Sequence, residues 1–217
     1  MTLNHIQSKI KDNKIEKEKK LFNSALKLFT EKGINNTSIS DITNNAGLAK
    51  GTFYLYFKDK YELQNVLLTK TSRELFASAH QAASKKHFDR LDERIIFIID
   101  YIIDSLKNDL NIIKFLQKNL SLGLYGEKIN DLLDNQDIGI KEVFIQEVHD
   151  RKIPLDNPEI TLFMIIELVS STVSSSIVDN HPLPIDEFKP HLFHAIRLMI
   201  NEKPATYEPP LSSRQVK

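Results

Sequence analysis

The chain contains no cysteine among its 217 residues. That removes disulfides, thiolate nucleophiles and cysteine metal sites together, and it agrees with a reducing compartment. Tryptophan is also absent, and the aromatic content leans on twelve phenylalanines. Uninterrupted apolar runs are short: Ile95 to Ile99 is ended by Asp100. No segment reads as the roughly 20 apolar residues that cross a bilayer, so no membrane partner is expected. The first residues mix Lys9, Lys11, Asp12, Lys14, Glu16 and Lys17 without an apolar stretch or a small-residue cleavage site. No signal peptide is read there, and the cytoplasm is the expected location. Arginine is missing from residues 1–60, yet that segment holds eleven lysines against six acidic residues, a net +5, while the remainder is net −5. A solvated basic helix would explain such a charge run, so the motif within it has to decide its meaning.

Strand-like alternation is missing as well. Apolar residues recur at spacings of three and four, which predicts an all-α fold. The first helix is expected over 13–32, with Leu21, Ala25, Leu28 and Phe29 on one face and Gly33 as its left-handed terminator. Ser38 and Asp41 have the spacing of a capping box at the start of a short second helix, on which Ile39, Ile42 and Ala46 form the buried stripe. Gly47 then supplies a sharp turn, and a third helix follows at once. Two short helices joined by a glycine-containing turn form the helix-turn-helix pattern, whose second helix enters the DNA major groove.

Residues four apart share a helix face, so Phe53 and Phe57 pair inward, leaving Lys50 with Tyr54, and Gly51 with Leu55, to face outward. Lysine and threonine reach base edges or phosphates, tyrosine hydroxyls donate to phosphate oxygens, and glycine permits close backbone approach. Asp59 with Glu62 reads as the capping box of the next helix. Lys60 opposes the dipole there, a placement that makes sense if it helps the free N–H groups hold a phosphate.

The stretch TSISDITNNAGLAKGTFYLYFKDKYEL, Thr37 to Leu63, and more loosely residues 17–68, resembles the DNA-binding domain of the TetR (tetracycline repressor) family. The resemblance implies an all-α homodimer in which a three-helix helix-turn-helix DNA-binding domain precedes a helical ligand-binding and dimerisation domain. On that basis residues 1–60 are the DNA reader and 61–202 the responding domain, while the first dozen residues and the Pro- and Ser-rich tail at 203–217 are expected from composition and position to be mobile. The family's DNA contacts would fall on Thr37 or Ser38, on Lys50, Gly51, Thr52, Tyr54, Leu55 and Tyr56, and on Lys60. Ala49 departs from the pattern, since a serine or threonine often caps the recognition helix there.

Beyond residue 60 only pattern is available. Helices are expected at about 60–85, 89–107, 109–121, 127–151, 158–180 and 186–201, broken at Asn108, at 123–126, at 154–158 and at 181–184. His191 and His194 are read as structural rather than metal-binding. Asp100 and Asp104 are read as a polar stripe rather than paired catalytic carboxylates. Glu167, alone in an apolar helix, is either buried and paired or faces a cavity. The serines from Ser170 to Ser176 suit close helix approach. No G-x-S-x-G, P-loop or H-E-x-x-H pattern occurs, so neither enzymatic activity nor any cofactor or metal is expected.

These readings converge on a sequence-specific DNA-binding regulator that would repress from a palindromic operator and be released by a largely hydrophobic small molecule. The effector would sit among Phe97, Tyr101, Phe115, Leu116, Asn119, Phe144, Phe163, Met164 and Glu167. The dimer interface would use Val169, Val173 and Ser176 with Phe193, Ile196 and Ile200. A ligand-independent architectural, nucleoid-type DNA binder is the alternative.

Overall fold

A computed structural model describes residues 3–116 and 140–201, with side chains from residue 12 onward. The described chain is helical throughout: α1 Leu3–Lys32, α2 Ile39–Ala46, α3 Lys50–Phe53, α4 Lys60–Ser84, α5 Leu91–Asn108, α6 Leu110–Leu116, α7 Ile140–Asp150, α8 Pro158–Val178 and α9 Ile185–Asn201. The all-α architecture with an N-terminal helix-turn-helix is therefore as expected.

Helix α1 begins ten residues earlier than the sequence pattern indicates. The expected mobile start is helical because residues 3–12 contain neither proline nor glycine and leave nothing to interrupt propagation. Gly33 ends it at φ 79°, in the left-handed region. The Ser38–Asp41 capping box is present: the Asp41 N–H donates to Ser38 Oγ at 3.1 Å and the Ser38 N–H to Asp41 Oδ2 at 2.9 Å. Gly47 closes α2 at φ 66°, a conformation open to glycine without a Cβ penalty. The α4 start differs slightly. Asp59 Oδ1 accepts the N–H groups of Tyr61 and Glu62, while Glu62 reaches back to the Lys58 N–H rather than to that of Asp59.

One hydrophobic cluster runs without a break from Leu21 to Ile200. Helix α4 joins its two ends: Leu63, Val66 and Leu67 are buried, and α4 packs on α1, α5 and α6. Helix α8 is long and apolar enough, by length and composition, to cross a bilayer, which counting uninterrupted runs misses. Here it is a core helix, with Leu162, Ile165, Ile166, Val169 and Val173 buried against neighbouring helices. Asp100 and Asp104 form a polar stripe with a definite partner, since Lys189 of α9 bridges them at 2.6 and 2.7 Å. His191 and His194 are exposed, and no group of three or more metal-ligating side chains occurs among the described residues. The expected tail at 203–217 and the break at 123–126 lie outside the described residues.

Candidate nucleic-acid interface and cavity

The N-terminal reader is assembled by short-range constraints. Ser24 on α1 donates to the Ile42 carbonyl of α2 at 2.7 Å, and both groups are buried. Phe53 and Phe57 turn inward as the spacing requires, their rings 5.7 Å apart, with Phe22 of α1 another 5.7 Å from Phe57. Helix α3 is only four residues long, because after Phe53 the chain tightens: Leu55 and Tyr56 donate to carbonyls three residues back. Ala49 provides no side-chain cap.

With the two phenylalanines fixed inside, Lys50, Gly51, Tyr54 and Leu55 form an exposed apron, and Thr52 sits half-buried beside them. Leu55 is 80% exposed. Tyr54 beside it is 53% exposed, so two large side chains stand in solvent together on this face. Added Cβ atoms at Gly51 would meet nothing within 4 Å, so the open space there belongs to whatever approaches from outside.

Three expected contacts sit differently. Thr37 is 1% exposed, and its hydroxyl donates to the Gly33 carbonyl at 2.8 Å, so its side chain ties the α1–α2 turn from within. Ser38, by contrast, is exposed, but its hydroxyl already serves the capping box. Tyr56 is half-buried against the core, and its hydroxyl donates to the Lys14 carbonyl at 3.3 Å. Burial, with a smaller contribution from the Glu18 carboxylate, raises the Tyr56 hydroxyl above its usual acidity range.

Lys60 departs furthest from expectation. Its ammonium does not stand free for a phosphate: it donates to the carbonyls of Ile34 at 2.8 Å, Thr37 at 3.0 Å and Asn35 at 3.4 Å. These lie just past the C-terminal end of α1, where unpaired carbonyls and the negative end of the dipole favour a cation. Lys60 therefore pins the start of α4 to the α1–α2 turn. Nearby, hydrogen bonding from the Ser38 backbone, followed by Lys32, holds the Asp41 carboxyl at about 2, below its usual range.

The second feature is a partly open cavity of about 90 Å³ lined by α4, α5, α7 and α8. Its walls are aliphatic and aromatic: Leu75 and Phe76 from α4, Ile95, Ile98, Ile99 and Ile102 from α5, Val143 and Phe144 from α7, Ile165, Ile166 and Val169 from α8. One polar cluster also lines it. Arg94 pairs with Glu147 and directs its second amino group to His80 Nε2 at 3.1 Å, while Arg151 holds Glu147 at 3.1 Å from the far side. Burial first, and then the Arg94 charge, pushes the His80 imidazole below its usual value of 6.5.

The expected ligand residues fall mostly elsewhere. Phe144 alone of that set lines this cavity. Phe115 and Leu116 are buried in other core contacts; Phe97 packs on Phe88 beneath the Lys86 ammonium. Tyr101, Phe163 and Met164 are exposed, and Glu167 is half-exposed. Asn119 lies outside the described residues. The physical reason is α8's rotation: its buried stripe runs through Leu162, Ile165, Ile166 and Val169, which turns Phe163, Met164 and Glu167 away. The same rotation corrects the expected dimer face. Val169, Val173, Ser176, Ile196 and Ile200 are all buried within the single chain, Ser176 completely, and Phe193 is half-buried. The cavity's own polar residues, His80, Arg94 and Glu147, were missed because charged positions on amphipathic helices read as solvent-facing. Placed on separate helices, they gave no local signal.

Residues 21–66 match the family model described as bacterial regulatory proteins, tetR family. Two Bacillus subtilis HTH-type transcriptional regulators are similar in sequence: YuxN, 35% identical over 101 residues, and YvdT, 36% identical over 89. These matches take in 42% and 41% of this chain, and 35% and 42% of the respective relatives, so the chain spans well under half the length of each. The fold extends further. The transcriptional regulator FadR of Bacillus subtilis, in a structure with stearoyl-CoA, superposes with a TM-score of 0.60 over 83% of this chain and 96% of that one, at 19% identity. Motif and architecture agree: the DNA-binding segment at residues 21–66 belongs to the TetR family of bacterial regulatory proteins, and the described chain has the helical architecture of regulators of that family.

Proposed function

We propose that this regulator binds a two-fold symmetric operator as a homodimer, represses transcription from it, and is released by a small, largely hydrophobic effector. Residues 1–60 act as the DNA reader and residues 61–202 as the responding domain. The observation that carries the reading is the exposed apron of Lys50, Gly51, Tyr54 and Leu55, held outward by the inward anchors Phe53 and Phe57. Lys50 supplies base or phosphate contact, Tyr54 a phosphate-directed hydroxyl, Leu55 an apolar contact such as a thymine methyl, and Gly51 with Thr52 close backbone approach.

TetR regulators act as dimers. The face for a second copy is the outward side of α8 and α9. Ile160, Phe163, Met164 and Val178 on α8, and Leu198 on α9, are large apolar residues left exposed. Pairing these helices with their symmetry mates sets the distance between two reading helices, which have to reach successive major grooves.

The effector site is the cavity of α4, α5, α7 and α8, supported by its apolar walls. That such a regulator takes a small-molecule ligand at all is supported by FadR, of related fold, which forms a complex with stearoyl-CoA. Helix α4 connects the two sites physically. Its first residue grips the α1–α2 turn and its middle forms a cavity wall. A guest that shifts α4 changes the setting of the reader, and by linkage DNA weakens the guest by the same factor. Footprinting of the DNA flanking this gene tests the reading. A protected, roughly symmetric site bound about 10³-fold over random DNA is expected, and uniform coating at equal affinity would indicate an architectural binder.

A further inference from the structure

The wall that α4 presents to the cavity carries an unsatisfied group. Ser72 lines the cavity, is 1% exposed, and its hydroxyl has no hydrogen-bond partner among the described residues. Helical serines ordinarily return their proton to the carbonyl four residues back, as Ser78 does on this same helix, donating to Glu74 at 2.8 Å. A buried hydroxyl left unpaired is costly, and a structure retains it where something else completes the bond. Water fits poorly. A buried water takes about three partners, whereas the walls beside Ser72, such as Leu75 and Phe76, are hydrocarbon.

The charged groups at the cavity narrow the guest further. Arg94 is only 12% exposed at its side chain and is already committed to Glu147 and His80. Since His80 is held towards its neutral form, no uncommitted cation lines the cavity among the described residues. A carboxylate entering would lose its hydration without gaining a counter-charge. The cavity holds about 90 Å³ and is partly open to solvent, so the alkyl part of a guest buried on the isoleucines is short.

We propose that the cavity takes a short, uncharged aliphatic molecule with one hydrogen-bond acceptor, a ketone, ester or alcohol oxygen, seated on the Ser72 hydroxyl. This rests on the effector reading above and specifies its ligand class. The Ser72 O–H donates to the guest oxygen, and the alkyl part packs on the isoleucines of α5. Because Ser72 and Lys60 share one helix, the polar end of the guest bears on the element that grips the reader.

The experiment uses the full chain with pentan-2-one, pentane and pentanoate as probes at pH 7.5, comparing the natural protein with Ser72→Ala. Binding is read by calorimetry and by thermal stability. Pentan-2-one is expected to bind and raise the melting temperature, and pentanoate to do neither. Ser72→Ala should weaken pentan-2-one by about fivefold to tenfold while leaving pentane unchanged or tighter. The variant itself should melt no lower than the natural protein, because it removes an unpaired hydroxyl. Three results would overturn the assignment: no probe binds, pentanoate binds as well as the ketone, or Ser72→Ala alters ketone and pentane equally. DNA release, measured separately on the operator complex, distinguishes the two levels. Ketone binding without release keeps the ligand class and removes its effector role, whereas operator binding without any probe binding sinks the ligand class alone.

Discussion

Lys50 and Lys60 show how two lysines ten residues apart come to do different work. Lys50 projects from an exposed apron, whereas the Lys60 ammonium is spent on the carbonyls of Ile34, Asn35 and Thr37. Replacing Lys50 by alanine should lower operator affinity by about 1–3 kcal/mol and reduce the salt slope by about one, with little change in melting temperature. Lys60→Ala should do the reverse: a stability loss of about 1 kcal/mol in chemical denaturation, and a salt slope close to that of the natural protein. A salt slope that falls by one for Lys60→Ala would return that lysine to phosphate binding. His80 offers a pH readout. Its folded value lies below the unfolded one, so the protein resists its protonation. The stability involved is fully present above the ordinary value of 6.5 and is lost as pH falls from there towards the lower folded value. Melting temperature should therefore drop between pH 7.5 and 5.5 more for the natural protein than for His80→Gln.

At the scale of single elements, most of the N-terminal reader is legible in the sequence because its determinants are local. The Ser38–Asp41 box, the left-handed Gly47 and the Phe53–Phe57 pair are each separated by four residues or fewer from what they act on, and each is found where spacing places it. The role of Lys60 is not legible, because its partners lie more than twenty residues away on another turn. Among the described residues, helix positions beyond residue 60 follow from periodicity, but the faces of α8 and α9 do not, and the expected helical stretches at 117–121 and 127–139 lie outside the described residues. In α8 both sides are apolar, so composition alone leaves its rotation undetermined, and the buried stripe proved to be the one through Leu162, Ile165 and Val169. Two element-level expectations follow. Ala49→Ser, at an extended N-cap position with no side-chain bond, should stabilise the protein by about 0.5–1 kcal/mol. Phe163→Asp on the exposed face of α8 should yield a folded monomer by sedimentation with weakened operator binding. Ser176→Arg, at a completely buried position, should instead lower the melting temperature by several degrees.

For the whole molecule, one core continuous from Leu21 to Ile200 joins reader and cavity, and α4 is the element common to both. A charge split of +5 and −5 about residue 60 places the attraction for a polyanion at the reading end. The most direct measurement is operator affinity at physiological salt, taken against random DNA of equal length, for the natural protein and for Lys50→Ala. A preference of about 10³-fold or more is expected, falling by tenfold or more in the variant, with the loss concentrated at one operator position in each half-site. Equal affinity for operator and random DNA, or a Lys50→Ala variant that discriminates as well as the natural protein, would contradict sequence reading by the apron on α3.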